Sequence, residues 1–103
     1  MFNFFTIFVK QIYTKVNKKI AIIGSGFSSL AASCYLAKQG NDVTLYEKNS
    51  TIGGRARQLK KEGFTFDIGP TWYWMPDVFE RFFADFNKKP SDYFEHIKLS
   101  PAY

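Results

Sequence analysis

The stretch from Lys19 to Arg55 constrains the fold more than any other part of the chain. An apolar run without alternation, Ile20-Ala21-Ile22-Ile23, breaks at Gly24-Ser25-Gly26. A helical pattern then runs from Phe27 to Gln39, Gly40 ends it as a C-terminal cap, and Asn41-Asp42 turns the chain. Val43 to Tyr46 is a second β-type run, with the acid Glu47 at its end. The first run, Lys18 to Ile23, has the character of a parallel strand covered on both faces. Two such strands joined by one helix make a complete βαβ unit.

The order strand, glycines, helix, strand and acid is what a pocket for an adenine dinucleotide requires. Gly24 permits the tight turn out of the strand, and Gly26 lets the backbone approach a pyrophosphate. The helix that starts there directs its unpaired N–H groups and positive dipole end at that anion. Glu47 can accept hydrogen bonds from both hydroxyls of the adenosine ribose. The third glycine position of the pattern holds Ser29, which adds a small group where helix packs on strand and predicts a slight displacement of the helix. A βαβ unit that binds no nucleotide is the alternative; the glycine spacing together with the acid stands against it.

Downstream, Gly53-Gly54-Arg55 follows the acid, and residues 56–66 read as a hairpin with Gly63 in its turn and Phe64 and Phe66 on one strand face. Asp67-Ile68-Gly69-Pro70 is a second breaker, which from residue types alone is an ordinary turn. Thr71 to Trp74 form an aromatic loop, and for Trp72, Tyr73 and Trp74 the readings are the lining of an apolar channel, packing in a core or contact with an absent domain. Pro76 suits the first turn of a helix, Asp77 suits its positive end, and Val78, Phe79, Phe82, Phe83 and Phe86 form one apolar stripe. Residues 88–91 read as a linker and Tyr93 to Leu99 as the start of a further strand.

Composition sets the outer bounds. At 103 residues the chain is one small domain at most, and its 46% apolar content with 12 Phe, 6 Tyr and 2 Trp predicts folding rather than disorder. The net charge of +5 is uneven, because residues 1–19 carry Lys10, Lys15, Lys18 and Lys19 and no acid. The rest is nearly neutral, so nucleic acid is not an expected partner. The single Cys34 forms no internal disulfide, which fits a reducing compartment, and it reads as a small buried hydrophobe. His96 has no partner cluster and reads as a surface residue; no metal site and no catalytic residue is assigned.

Residues 1–17 show helical spacing, with Phe2, Phe5, Val9, Ile12 and Val16 on one face and Asn3, Thr6, Lys10, Thr14 and Asn17 on another, Ile7 being the exception. The apolar stretch falls short of the about 20 residues of a membrane span. It also lacks the basic start and cleavage site of a signal peptide. Two readings stay open: a basic amphipathic helix on a membrane surface, or a poorly ordered extension.

With these motifs quoted, two resemblances follow. Gly53-Gly54-Arg55 resembles the Gly-Gly-Arg segment of the flavoprotein superfamily that includes the amine oxidases, which favours FAD over NAD. Phe64-Thr-Phe-Asp67-Ile-Gly69-Pro70-Thr71 and the Trp-Tyr-Trp-Met-Pro-Asp-Val-Phe-Glu run after it, with Ile22-Ile-Gly-Ser-Gly-Phe, are similar to the start of the bacterial phytoene desaturases.

The resemblance covers about residues 18–103 and implies non-covalent FAD, an apolar C40 polyene substrate whose conjugation is extended, and a cytoplasmic enzyme peripherally bound to the membrane surface. It implies that Gly24, Gly26, Phe27, Ser28 and Ser29 face the pyrophosphate, and that Glu47, followed by Lys48, serves the adenosine ribose. Gly54 and Arg55 would lie along the ribityl and phosphate region, and Gly69, Pro70 and Thr71 on the flavin side. A carotenoid isomerase, an amine oxidase or an inactive truncated remnant are the other owners considered.

The fold class expected is therefore α/β: the N-terminal βαβ of a Rossmann-like FAD/NAD(P)-binding domain, incomplete, plus a hairpin and an amphipathic helix. Residues 1–17 form an arm or extension and residues 18–103 the domain portion. One βαβ unit cannot complete the parallel sheet or enclose a flavin ring. The rest of the same enzyme is thus an expected partner, and the chain alone is expected to be inactive.

Overall fold

A computed structural model describes residues 17–70 and 72–101. The expectations for residues 1–16 of the arm and for Thr71 lie outside the described residues. The chain divides into two units, residues 1–69 and 70–103.

In the first unit, β1 (Lys19–Ile23) and β2 (Asp42–Tyr46) pair in parallel, with Ile20 opposite Val43, Ile22 opposite Leu45 and Ile23 opposite Tyr46. Helix α1 (Phe27–Lys38) connects them and packs against both. Gln39 caps its C-terminus, and Gly40, at φ +88°, takes the left-handed conformation that ends the helix. Asn41 secures the turn: its side chain donates to the Leu36 carbonyl and accepts from the Lys18 N–H.

Two expectations of burial fail here. Alternate residues Ile20, Ile22, Val43 and Leu45 are half-buried, whereas Ile23 is 80% and Tyr46 56% exposed. Among the described residues α1 is the one helix packed on this pair, so one face is covered and not two. Cys34 is exposed, not buried, and Phe27 is 59% exposed. Small or apolar residues occupy almost the whole circumference of α1, so periodicity does not choose its inner face. The structure places Ser29, Leu30, Ser33 and Leu36 among the half-buried positions.

A short 3-10 turn (Gly54–Ala56) leads into the hairpin β3 (Arg57–Lys61) and β4 (Phe64–Ile68). The turn residues Glu62 and Gly63 have φ of +51° and +82°, the pair of positive values that matches the twist of a two-residue hairpin. Leu59 opposes Phe66 and Lys61 opposes Phe64, and the Phe64 and Phe66 rings lie 6.3 Å apart. On the other face the Gln58 amide donates to Asp67 at 3.0 Å. Asp67 is thus a strand residue; β4 runs on to Ile68, and the break comes at Gly69.

In the second unit, α2 (Pro76–Asp85) starts with Pro76 in its first turn and carries Asp77 there. Phe79, Phe82, Phe83 and Phe86 are half-buried, while Val78 is 47% exposed. The rings form a chain of contacts: Phe82 with Phe86 at 5.1 Å, Phe83 with Tyr93 at 5.2 Å, and Tyr73 with Phe79 at 4.8 Å. Such tilted and edge contacts add to the burial of the rings. Tyr73, 40% exposed, thus lies against this cluster, and Trp72 and Trp74 are 52% and 70% exposed. Burial among the rings and the nearby Glu80 carboxylate push the Tyr73 hydroxyl pKa up.

The stretch read as a linker instead contains a 3-10 turn (Pro90–Asp92) in which Pro90 is buried and the Lys89 N–H donates to Asp92 at 2.9 Å. Tyr93 to Leu99 is not a strand: no neighbour pairs with it among the described residues, and Ile97 is 85% exposed. His96 is exposed, against Tyr73 at 5.3 Å and Phe94 at 5.9 Å. No helix among the described residues is long and apolar enough to cross a membrane.

Candidate functional site

Parallel pairing of β1 with β2 carries Ile23 and Tyr46 to the same end of the sheet, so the residues just beyond them meet. The Gly24 N–H donates to the Tyr46 carbonyl at 2.7 Å, one more rung of the ladder. One residue further, Ser25 faces Glu47. The Ser25 N–H donates to Glu47 Oε2 at 2.9 Å, and its hydroxyl donates to the same oxygen at 2.6 Å. The other oxygen, Oε1, accepts from the Asn49 N–H and from its side-chain amide, both at 2.8 Å. Four donors thus fill about the four lone-pair positions of the carboxylate.

These bonds favour the ionised form. They hold Glu47 down at a pKa of about 2 from its ordinary 4.5, the Ser25 hydroxyl being the largest cause. A lowered folded-state pKa contributes stability that is complete above 4.5 and lost as the pH falls towards 2. The melting temperature should accordingly decline across that window, and circular dichroism should show a shallower decline for Glu47→Gln. Identical pH profiles for the two would contradict the assignment.

Ser25 is 1% exposed, the most enclosed side chain of the site. Its carbonyl accepts from the Gly53 N–H at 2.9 Å, which ties the glycine turn to the segment after Glu47. Gly54 completes the arrangement: at φ +60° a Cβ there would stand 3.0 Å from the Gly26 Cα, so the two backbones meet where residue 54 has no room for a side chain. Gly69 repeats the device, since a Cβ on it would run into the Arg55 carbonyl. The sequence therefore brings four separated pieces together: Gly24 to Ser29, Glu47 to Asn49, Gly53 to Arg55, and Gly69.

On the open side, a Cβ at Gly24 or Gly26 would meet nothing within 4 Å, which leaves room for a ligand against the turn. Helix α1 starts at this point with Gly26 as its N-cap, no side-chain cap and no acid in the first turn. Its first-turn N–H groups, those of Ser28 and Ser29 among them, have no acceptor within the helix and favour an anion. An anion beside Gly26 and a polyol at Glu47 is the donor and acceptor order of an adenosine diphosphate. Ser29 is half-buried against the sheet, while Phe27 and Ser28 are exposed, as are Lys48 and Arg55. Pro70 belongs to the second unit, so the structure does not join it to this group.

Ser25 and Asn49 were not singled out by sequence reasoning. A serine between two glycines has no periodicity to betray it. The signal was the strand register, which places the second residue after Ile23 beside the first residue after Tyr46.

The family described as NAD(P)-binding Rossmann-like domain matches residues 22–88, well over half of the chain. The chain belongs to this family of dinucleotide-binding domains. Among curated relatives, it is 55% identical to a carotenoid 3,4-desaturase of Haloarcula japonica over 84 residues, which are 82% of this chain and 17% of that one. It is 51% identical over 85 residues, with the same coverage, to a 4,4'-diapophytoene desaturase (4,4'-diaponeurosporene-forming) of Staphylococcus aureus strain Newman. The chain thus spans about a sixth of the length of these desaturases. Its fold is also similar to the crystal structure of a CLA-producing fatty acid isomerase from P. acnes, with a TM-score of 0.55 and 28% identity over 74% of this chain and 18% of that one.

Proposed function

We propose that residues 19–69 hold the adenosine diphosphate part of FAD in a flavin-dependent desaturase that extends the conjugation of a C40 polyene. The observation that carries this reading is the meeting of Gly54 with Gly26 beside the Glu47 carboxylate. A nicotinamide site needs the first glycine turn and the acid; a second glycine segment laid against the turn suits the longer FAD phosphate and ribityl chain. The first-turn N–H groups of α1 neutralise the pyrophosphate, and Glu47 fixes the adenosine ribose. Lys48 and Arg55 add positive charge, and Gly69, against Arg55, lies towards the flavin. The chemistry FAD supplies when bound is acceptance of a hydride.

The two desaturases matched at over half identity, both named for carotenoid-type polyenes, favour a polyene desaturase over the isomerase and amine oxidase readings. The remaining parts of such an enzyme, a substrate domain included, are the partner of this segment. The enzyme works at the cytoplasmic membrane surface, where so apolar a substrate resides. Residues 1–17, with Lys10 and Lys15 among aromatic side chains, contact that surface.

A chimera tests the reading. Residues 19–101 replace the matching segment of the Haloarcula desaturase, and the purified protein is examined for bound FAD and for desaturation of carotenoid in cells. A yellow, active chimera is the expected result. A folded, colourless and inactive one would overturn the proposal.

A further inference from the structure

Glu47 is held asymmetrically. Both donors on Oε2 come from Ser25, which is 1% exposed and also fixed through its carbonyl to the Gly53 N–H. Both donors on Oε1 come from Asn49, an exposed residue two positions along the same loop. A carboxylate has about four lone-pair positions, and all are taken in this arrangement. A ribose diol therefore has to replace existing donors, and those on the exposed oxygen are the ones free to leave.

From this we infer that Ser25 is a positioning residue for nucleotide recognition. Its hydroxyl anchors one oxygen of Glu47 and aims the carboxylate, while the Asn49 side-chain amide occupies the ribose position until a nucleotide displaces it. The inference rests on the dinucleotide reading above and adds to it a fixed and an exchangeable half of the acid. Ser25 acts through Glu47 and through the turn it ties down, with no contact of its own to the reacting atoms. The enclosure of its side chain keeps water from competing for the anchored oxygen.

The test compares ADP with 2′-deoxy-ADP by calorimetry on the full chain and, in parallel, on the desaturase chimera. Ser25→Ala should bind ADP roughly 3- to 10-fold more weakly, as expected for one hydrogen bond to an aimed carboxylate. Because the loss acts on ribose recognition, preference for ADP over 2′-deoxy-ADP should shrink by about the same factor. In a Glu47→Gln background the Ser25 change should have no further effect. Asn49→Ala should bind ADP as tightly as the unaltered chain or more tightly.

Equal loss for both nucleotides after Ser25→Ala would reduce Ser25 to packing and overturn the inference. So would a loss in Asn49→Ala as large as that in Ser25→Ala. Ser25→Cys, which keeps the volume and weakens the donor, carries the same expectation should the alanine variant fail to fold. Failure of the unaltered chain and the unaltered chimera alike to bind ADP would instead bring down the dinucleotide reading, and the inference with it.

Discussion

Glu47→Gln in the desaturase chimera should weaken FAD retention by roughly 10- to 100-fold, read as the dissociation constant of the purified protein. The amide keeps the size of the side chain but removes the charge and one of the two acceptors. Loss of a hydrogen bond to a charged group, together with the charge, corresponds to a weakening of roughly one to two powers of ten. The amide also places a donor on one side, against either the Ser25 donors on Oε2 or the Asn49 donors on Oε1. The loop should therefore loosen as well as lose its ribose contact. Unchanged FAD content in this variant would remove the acid from the site.

Gly69→Ala should do comparable damage by a different route. At φ +134° the backbone is strained for any L side chain, and the added methyl would also run into the Arg55 carbonyl. The conformation costs about 1–3 kcal/mol and the overpacking about as much again, for a total of about 2–6 kcal/mol. Arg55 and Gly69 bracket the hairpin, so amide protection of β3 and β4 in hydrogen exchange should drop, and FAD should be lost with it. Gly63→Ala is the control: its φ is +82°, but nothing lies within 4 Å of the new methyl. That change should cost only about 1–2 kcal/mol. Equal effects at the two positions would mean that the contact with Arg55 contributes nothing.

Much of this arrangement was legible in the residues. Glycines at 24, 26, 40 and 63 and the proline at 76 punctuate the chain, and the βαβ unit, the hairpin and α2 each lie within one or two positions of their expected bounds. Burial was not legible. Helix α1 is apolar almost all round, so Cys34 gave no sign of facing outwards; β1 reads as buried on both faces, yet Ile23 is exposed among the described residues. Both signals report a surface that prefers cover, and sequence alone does not say which neighbour supplies it. Tyr93 to Leu99 failed for a related reason, since β propensity makes no strand without a partner to pair with. At the site, the glycines and the acid were visible because their roles depend on residue type. Ser25 and Asn49 depend on place, through the register of two strands, and only the structure shows them gripping Glu47.

The central claim is that the Gly24 turn, Glu47 and the Gly54 segment form one cradle for the adenosine diphosphate of FAD. A crystal structure of the FAD-bound chimera measures this directly. The account predicts a ribose hydroxyl within hydrogen-bonding distance of Glu47 Oε1, with the Asn49 side chain turned away, and the pyrophosphate at the Ser28 and Ser29 N–H groups. A ribose bound elsewhere, with Asn49 still on Glu47 and no phosphate at the start of α1, would contradict it.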